Sequence, residues 1–169
     1  MLSQEYYKNY CKTFNSIESF LKDKGKCDSS VIREICQIRG YYPERMSSIL
    51  KKAGFFFVGE ISDKDKAILK NTGVDYGLFS EDGVFLLENR YVFPVRDLLG
   101  STVALIGWYP DKNYKRKYIT TPSKLFSKRC LFYGMEQIGE TGIGRKYVLV
   151  EGIFDSLSVR SLGIPCIAQ

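Results

Sequence analysis

The chain has 169 residues, 44% of them hydrophobic, which suffices for one packed domain or two small ones. It contains no histidine, and its five cysteines (11, 27, 36, 130 and 166) include no Cys-x-x-Cys pair; a Cys/His zinc site, a zinc ribbon and a histidine-based catalytic triad are excluded. The formal charge is +6, and residues 90–169, with 12 basic and 6 acidic side chains, hold the whole excess, because residues 1–89 carry 13 of each.

The spacing of Tyr6, Tyr10, Phe14, Ile17 and Leu21 predicts an amphipathic helix over 3–22. Lys22 to Lys26 breaks it. Asp28 or Ser29 caps a second helix reaching about Arg39, and Gly40 ends it. Pro43 opens a third, with Met46, Ile49 and Leu50 inward and Gly54 at its close. Residues 1–54 thus form a helical N-terminal region. The tyrosines there are core or interface groups rather than stacking platforms.

Residues 55–140 read as a mixed α/β subdomain. Phe55–Val58 is a strand or buried connector, and Ser62–Leu69 a short helix capped by Ser62. Tyr76–Phe79 and Val84–Leu87 flank the turn 80–83 as a hairpin. Arg90–Asp97 and Thr102–Trp108 are two further strands. Pro94 places an edge or a bulge in the first of them. Residues 112–129 then carry seven basic side chains (Lys112, Lys115, Arg116, Lys117, Lys124, Lys128, Arg129) and no acidic one, interleaved with Tyr114, Tyr118 and Phe126. Lysine and arginine neutralise phosphates, and aromatic rings stack on unpaired bases. A solvated loop with its rings tucked into the core is the alternative. Gly134–Glu140 is a short helix.

Residues 141–169 read as strand, turn, helix, strand. Tyr147–Val150 suits a buried strand, and Gly152 permits a tight turn. Phe154, Leu157, Val159 and Leu162 follow at roughly helical spacing, Gly163 stops the helix, and Pro165–Ala168 starts a second strand. In such a unit ligands bind at the carboxyl end of the first strand, where Glu151 lies. Glu151 there can hold a divalent metal or move a proton; Asp155 can orient the turn, complement the helix dipole or reach the same metal. The plainer alternative is a solvated loop glutamate and a dipole-matching aspartate.

Taken together, Arg39-Gly40, Gly77-Leu78, Arg90-Tyr-Val-Phe-Pro-Val-Arg96-Asp97, Lys117-Tyr118-Ile-Thr-Thr-Pro122, Phe126-Ser-Lys128, Leu131-Phe-Tyr133-Gly134 and Val148-Leu-Val-Glu151-Gly152-x-x-Asp155 resemble the catalytic core of bacterial and phage DNA primases. The resemblance covers about residues 30–169. It implies an α+β fold: a helical and β primase-core subdomain, then the first part of a Toprim strand-helix-strand unit. It implies template-directed synthesis of RNA primers on single-stranded DNA from ribonucleotides, with Mg²⁺ or Mn²⁺ and no zinc. Glu151 matches the family's catalytic glutamate, and Asp155 joins it as a partial metal site. Lys117 and Lys128 match its nucleotide- and template-facing positions, Arg90 and Arg96 match arginines of a segment that lines its cleft between subdomains, and with Lys115 and Arg116 these are the expected nucleic-acid- and nucleotide-binding residues. The implied setting is the bacterial or infected-host cytoplasm, with a replicative helicase as a further partner.

The chain also departs from the family. Ile106-Gly107-Trp108 stands where members carry Gly-Gly-Arg. Glu151 and Asp155 are the only carboxylates after residue 140, and two make a weak magnesium site. The expectation is a primase component completed by a separate chain or by residues outside this sequence, which associates with a complementary Toprim polypeptide or with itself through an unsupported edge of strand 165–168; a split phage gene would produce such a piece. A non-catalytic single-stranded nucleic-acid-binding module is the alternative, and a Toprim nuclease or topoisomerase piece a third. No apolar run reaches membrane-spanning length, and the polar start is not a signal peptide.

Overall fold

The structure, a computed structural model, describes residues 3–73, 76–111, 113–121, 132–142 and 144–169. Three helices open the chain: α1 (Gln4–Lys24), α2 (Ser29–Arg39) and α3 (Pro43–Ala53). Their ends follow from local chemistry. Ser3 Oγ accepts from the Tyr6 amide at 3.2 Å, and Asp28 Oδ1 accepts from the Ser30 and Val31 amides at 2.9 and 3.2 Å. Gly40 and Gly54 end α2 and α3 in the left-handed region, both at φ 69°, where a side chain would strain the backbone. Tyr7 and Tyr10 of α1 belong to the interior packing: the Tyr10 hydroxyl donates to the Val103 carbonyl at 2.7 Å and Tyr7 to Asp97 Oδ2 at 2.7 Å.

The helices pack on an antiparallel sheet of order β1-β2-β3-β4, formed by Phe56–Val58, Arg90–Arg96, Thr102–Trp108 and Tyr118–Thr121. Helix α4 (Asp63–Gly73) joins the first two strands. Directly paired residues share a face. Tyr91 with Trp108, Phe93 with Ile106, Ile106 with Thr120 and Trp108 with Tyr118 therefore line one face; Val92 with Gly107 and Gly107 with Ile119 line the other. Pro94 is accommodated in two ways. Strand β1 reaches only to the level of Val92, so Pro94 lies beyond it, and a bulge follows between Val95 and Arg96.

Three expectations are corrected. Residues 76–87 form no extended two-stranded ladder but a closed turn with the single bridge Phe79–Phe85, across which the Ser80 amide donates to the Val84 carbonyl and the Leu86 amide to the Leu78 carbonyl. The basic segment holds a strand, β4, whose regular form comes from pairing with β3. The third concerns the last unit: β5 (Val148–Val150), α6 (Ile153–Arg160) and β6 (Cys166–Ala168), with β5 and β6 parallel. Strand β5 is not buried, since Val148 is 38% and Leu149 59% exposed. The unsupported edge is accordingly on β5, not on β6. Strand β6 lies between β5 and Tyr133, with which Ala168 exchanges two backbone hydrogen bonds of 2.8 and 3.0 Å.

Helix α6 is held to the first face of the larger sheet by aromatic packing. Phe154 meets Trp108 edge-on at 4.7 Å between centroids and Phe93 at 5.6 Å, and Phe93 meets Tyr133 at 6.3 Å. Short helix α5 (Glu136–Thr141) precedes β5. One hydrophobic cluster runs from Tyr10 to Ala168, so the last unit is tied into the same core as the helices.

Candidate nucleic-acid interface

Glu151 leaves the carboxyl end of β5 with its side chain exposed. It borders a cleft of about 320 Å³ whose other walls include Tyr118 and Thr120 of β4 and Tyr133. Alternation along β4 aims Tyr118 and Thr120 at α6 and Ile119 away from it. The cleft thus brings together the acidic end of β5 and the strand that immediately follows Lys115–Lys117. Those three basic side chains are exposed and form no ion pair among the described residues. Lys128 lies outside the described residues, as do Lys112, Lys124 and Arg129.

Asp155 is exposed in the first turn of α6. A Cβ at position 152 would stand 3.2 Å from Asp155 Oδ2. Gly152 itself has φ −137°, ordinary extended backbone, so the room it leaves for this carboxylate, not a special turn, is what its missing side chain supplies. Among the described residues no three His, Cys, Asp or Glu side chains converge as a metal site. Magnesium requires a near-octahedral shell of oxygens, and two carboxylates do not make one. The residues present do not fit a complete metal centre.

The two arginines of the Arg90–Asp97 segment are committed to the interior. Arg90 is only 4% exposed. Its Nε donates to the Leu86 carbonyl at 3.0 Å and its Nη1 to the Lys117 carbonyl at 3.1 Å, while the guanidinium lies 5.6 Å from the Tyr109 ring and 5.5 Å from Tyr114. Arg90 therefore shapes the basic segment from beneath and does not present its charge beside Glu151. Arg96 Nη2 meets Glu18 Oε1 at 2.8 Å, and its Nη1 donates to Thr102 Oγ1 at 3.0 Å. Lys22 reaches the same Glu18 oxygen at 2.6 Å, and the Thr102 hydroxyl donates to Glu18 Oε2. Burial raises the Glu18 carboxyl pKa, but Lys22, Thr102 and Arg96 outweigh it and hold the group below its usual range.

Two residues outside the expected set, Arg39 and Tyr41, contact α6 without lining the cleft, while Tyr118 lines it. Arg39, at the end of α2, lies 4.1 Å above the Phe154 ring and 5.9 Å from Trp108. The Tyr41 hydroxyl donates to the Phe154 carbonyl at 2.9 Å and accepts from Ser158 Oγ at 3.1 Å. Tyr118 is electrostatically coupled to both: burial pushes its hydroxyl pKa up, Arg39 opposes this, and Asp155 and Tyr41 add to it. Arg39 and Tyr118 stand in the matched segments, whereas Tyr41 carries no motif. Their partners on α6 are more than a hundred residues away from α2 in sequence, so no local pattern joins them.

The family described as the DNA primase catalytic core, N-terminal domain, matches residues 6–139. The chain belongs to this family. Among curated relatives it is 29% identical over 147 residues to a DNA primase of Deinococcus radiodurans, covering 85% of this chain and 24% of that protein. It is 29% identical over 175 residues to a DNA primase of Borreliella burgdorferi, covering 97% and 32%. Among solved structures it is similar to a DnaG primase catalytic domain bound to single-stranded DNA, with a TM-score of 0.67, 17% identity and coverage of 96% and 55%. The RNA polymerase domain of Mycobacterium tuberculosis primase DnaG gives a TM-score of 0.72 at 19% identity, with coverage of 99% and 57%. At such identities the likeness is one of fold, which is α+β. The chain spans about a quarter to a third of these two curated relatives and just over half of the two solved chains.

Proposed function

We propose that this chain is a component of a DNA primase, taking part in template-directed RNA primer synthesis on single-stranded DNA. One observation carries the reading: Glu151, exposed at the carboxyl end of β5, borders the same cleft as Tyr118 and Thr120, directly after the unpaired basic run Lys115–Lys117. Family membership supports the primase assignment, and the named DnaG neighbour bound to single-stranded DNA supports the choice of polynucleotide.

In this reading Lys115, Arg116 and Lys117 hold backbone phosphates. Tyr118, half exposed, offers a ring to a base. Glu151 sits where a carboxylate can take the proton of an attacking ribose hydroxyl, and Asp155 keeps the site anionic. Arg90 and Arg96 act indirectly, by fixing the basic segment and the β2–β3 bend. Because two carboxylates do not complete a magnesium site, further acidic groups belong to the working enzyme, and Glu151 and Asp155 are its first part, the start of a Toprim unit. The exposed edge of β5, with Val148 and Leu149 uncovered beside it, is the place for a complementary strand from a Toprim polypeptide or a second copy. No helix among the described residues is long and apolar enough to cross a membrane; we place the protein in the cytoplasm, where templates and ribonucleotides are, with a replicative helicase as a further partner.

The test is primer synthesis on a single-stranded template with ribonucleotides and Mg²⁺, with the chain alone and with a polypeptide carrying the acidic strand-loop unit of a related primase. Synthesis in the complemented reaction, lost in Glu151→Gln while DNA binding persists, is the expected result. Binding without synthesis under any complementation would favour a non-catalytic single-stranded nucleic-acid-binding module, which the two-carboxylate site would then explain.

A further inference from the structure

The four-stranded sheet carries a second cleft on the face turned away from α6. Arg90 and Ile119 lie on that face, the face shared by Val92 and Gly107. Arg90, Ile119, Tyr109, Tyr114, Arg116 and the turn residue Asp82 line a cavity of about 470 Å³. It shares no lining residue with the cleft that Glu151 borders, and its size is that of a small-ligand pocket. The basic run is thus divided: Arg116 borders the second cleft, and Tyr118, two residues on, turns into the first.

The charge on Arg90 is what this cleft holds without an evident structural use. Arg90 is 4% exposed and has no carboxylate partner among the described residues. Its partners are the Leu86 and Lys117 carbonyls and the rings of Tyr109 and Tyr114, none of which carries a full negative charge. A buried arginine is ordinarily paired with an acid. Burial depresses its pKa, and the two tyrosines offset that only in part. The fold nevertheless makes room for it. A Cβ at position 107 would stand 2.9 Å from Arg90 Cδ and 2.7 Å from Leu87 Cδ2, so glycine there lets the arginine stem lie across β3. Of the two acids that line the cleft, Glu88 is held by Lys66 at 3.0 Å and accepts from the Ile61 amide at 3.3 Å. That leaves two guanidinium groups, one recessed and one exposed, against the single exposed carboxylate of Asp82.

We propose that this second cleft binds the terminal phosphate of a nucleotide, with Arg90 at its inner wall and Arg116 at its rim. A backbone phosphodiester carries one negative charge and is flanked by sugars on both sides; a terminal phosphate carries about two and protrudes, so it reaches a recessed arginine better. Two sources share this chemistry: a free ribonucleoside triphosphate and the 5′-triphosphate end of a short RNA. The anion follows from the cleft; the choice of a nucleotide rests on the primase reading. Arg116, counted above among the strand's phosphate partners, serves this site when a nucleotide occupies it.

The test is isothermal titration calorimetry with ATP in EDTA, which keeps divalent metal away from Glu151, with hydrogen exchange to locate the ligand. Arg90→Gln would also release the segment that Arg90 anchors, so the informative variants are at the exposed Arg116 and Asp82, with circular dichroism to verify folding. Arg116→Gln should weaken ATP binding about tenfold, and Asp82→Asn should tighten it about 1.5- to 5-fold. Adenosine, which lacks the phosphates, should bind at least about tenfold more weakly than ATP. ATP should slow exchange in residues 86–90 and 109–117 and leave 150–156 unchanged. A tetraribonucleotide with a 5′-triphosphate, compared with its 5′-hydroxyl form, separates the sources: Arg116-dependent preference for the triphosphorylated end assigns the site to the primer, and such a preference for ATP assigns it to a free ribonucleotide. No binding of either, equal affinity for adenosine, wild-type affinity in Arg116→Gln, or protection at 150–156 instead would overturn the site. If that happens while complemented primer synthesis is intact, the proposed function stands alone. Arg116-dependent ATP binding without synthesis under any complementation would leave this site standing and remove the primase reading.

Discussion

Replacing Glu18 by glutamine separates an internal arginine from a DNA-facing one. Glu18 is a buried residue of α1 and receives Lys22 at 2.6 Å, Arg96 at 2.8 Å and the Thr102 hydroxyl. Breaking a fully buried ion pair costs about 3–5 kcal/mol. Here the cations retain some water, at 30% and 23% side-chain exposure, and recover hydration when the carboxylate goes. Glu18→Gln should therefore cost about 2–3 kcal/mol at neutral pH, or about 4–12 °C in Tm for a chain of this size. The pH dependence has a fixed sign. The folded carboxyl pKa lies below its unfolded value of about 4.3, so the unfolded chain binds more protons between the two. The stabilisation is complete above the unfolded value and is lost as pH falls through the folded one. Urea titrations of parent and variant should differ by a constant amount from pH 8 to pH 5, and the gap should shrink below the unfolded value and close only as pH falls through the folded one. A gap under about 0.5 kcal/mol at pH 7, or one that does not close in acid, would refute the network. Arg96→Met should be destabilising too, and should leave the salt slope of DNA binding unchanged; a reduced slope would return Arg96 to the polynucleotide surface.

Lys115→Gln, Arg116→Gln and Lys117→Gln combined should lower the salt slope of single-strand binding by about 2, and an unchanged slope would make the segment a solvated loop. Arg90→Lys removes the fork that joins the Leu86 and Lys117 carbonyls beneath Tyr109 and Tyr114; a loss of about 1–3 kcal/mol is expected, with faster hydrogen exchange in residues 109–117, and unchanged exchange there would contradict the anchoring role. Leu149→Lys on the exposed face of β5 should abolish self-association or complementation in light scattering without lowering Tm, whereas Ile167→Lys on β6 should disturb folding first; the reverse pattern would restore β6 as the recruiting edge.

The helices were legible because their ends are written locally: Asp28 before α2, Gly40 after it, Pro43 and Gly54 around α3. Strands β2 and β3 were legible from the apolar runs at their centres, Tyr91–Val95 and Val103–Trp108. Strand β4 was not, since its four residues owe their conformation to β3 and sit among lysines that read as loop. The β-branched run at 148–150 suggested burial, but exposure there depends on what lies beside β5, which is no local property. Glu151 was placed correctly at an exposed strand end. Arg90 and Arg96 were named through the resemblance, and no local pattern showed that they bond to the Leu86 and Lys117 carbonyls and to Glu18. The packing of Arg39 and Tyr41 on Phe154 was not legible, being a contact between distant parts of the chain.

The most direct test of the shared cleft is photo-crosslinking of a single-stranded oligomer carrying halogenated bases, with the adducts located by mass spectrometry. Adducts on the peptide holding Tyr114–Tyr118, lost at high salt, are the predicted result. Adducts confined to the α1 surface around Tyr6 and Tyr7, or none at all, would contradict a strand lying between the basic segment and Glu151.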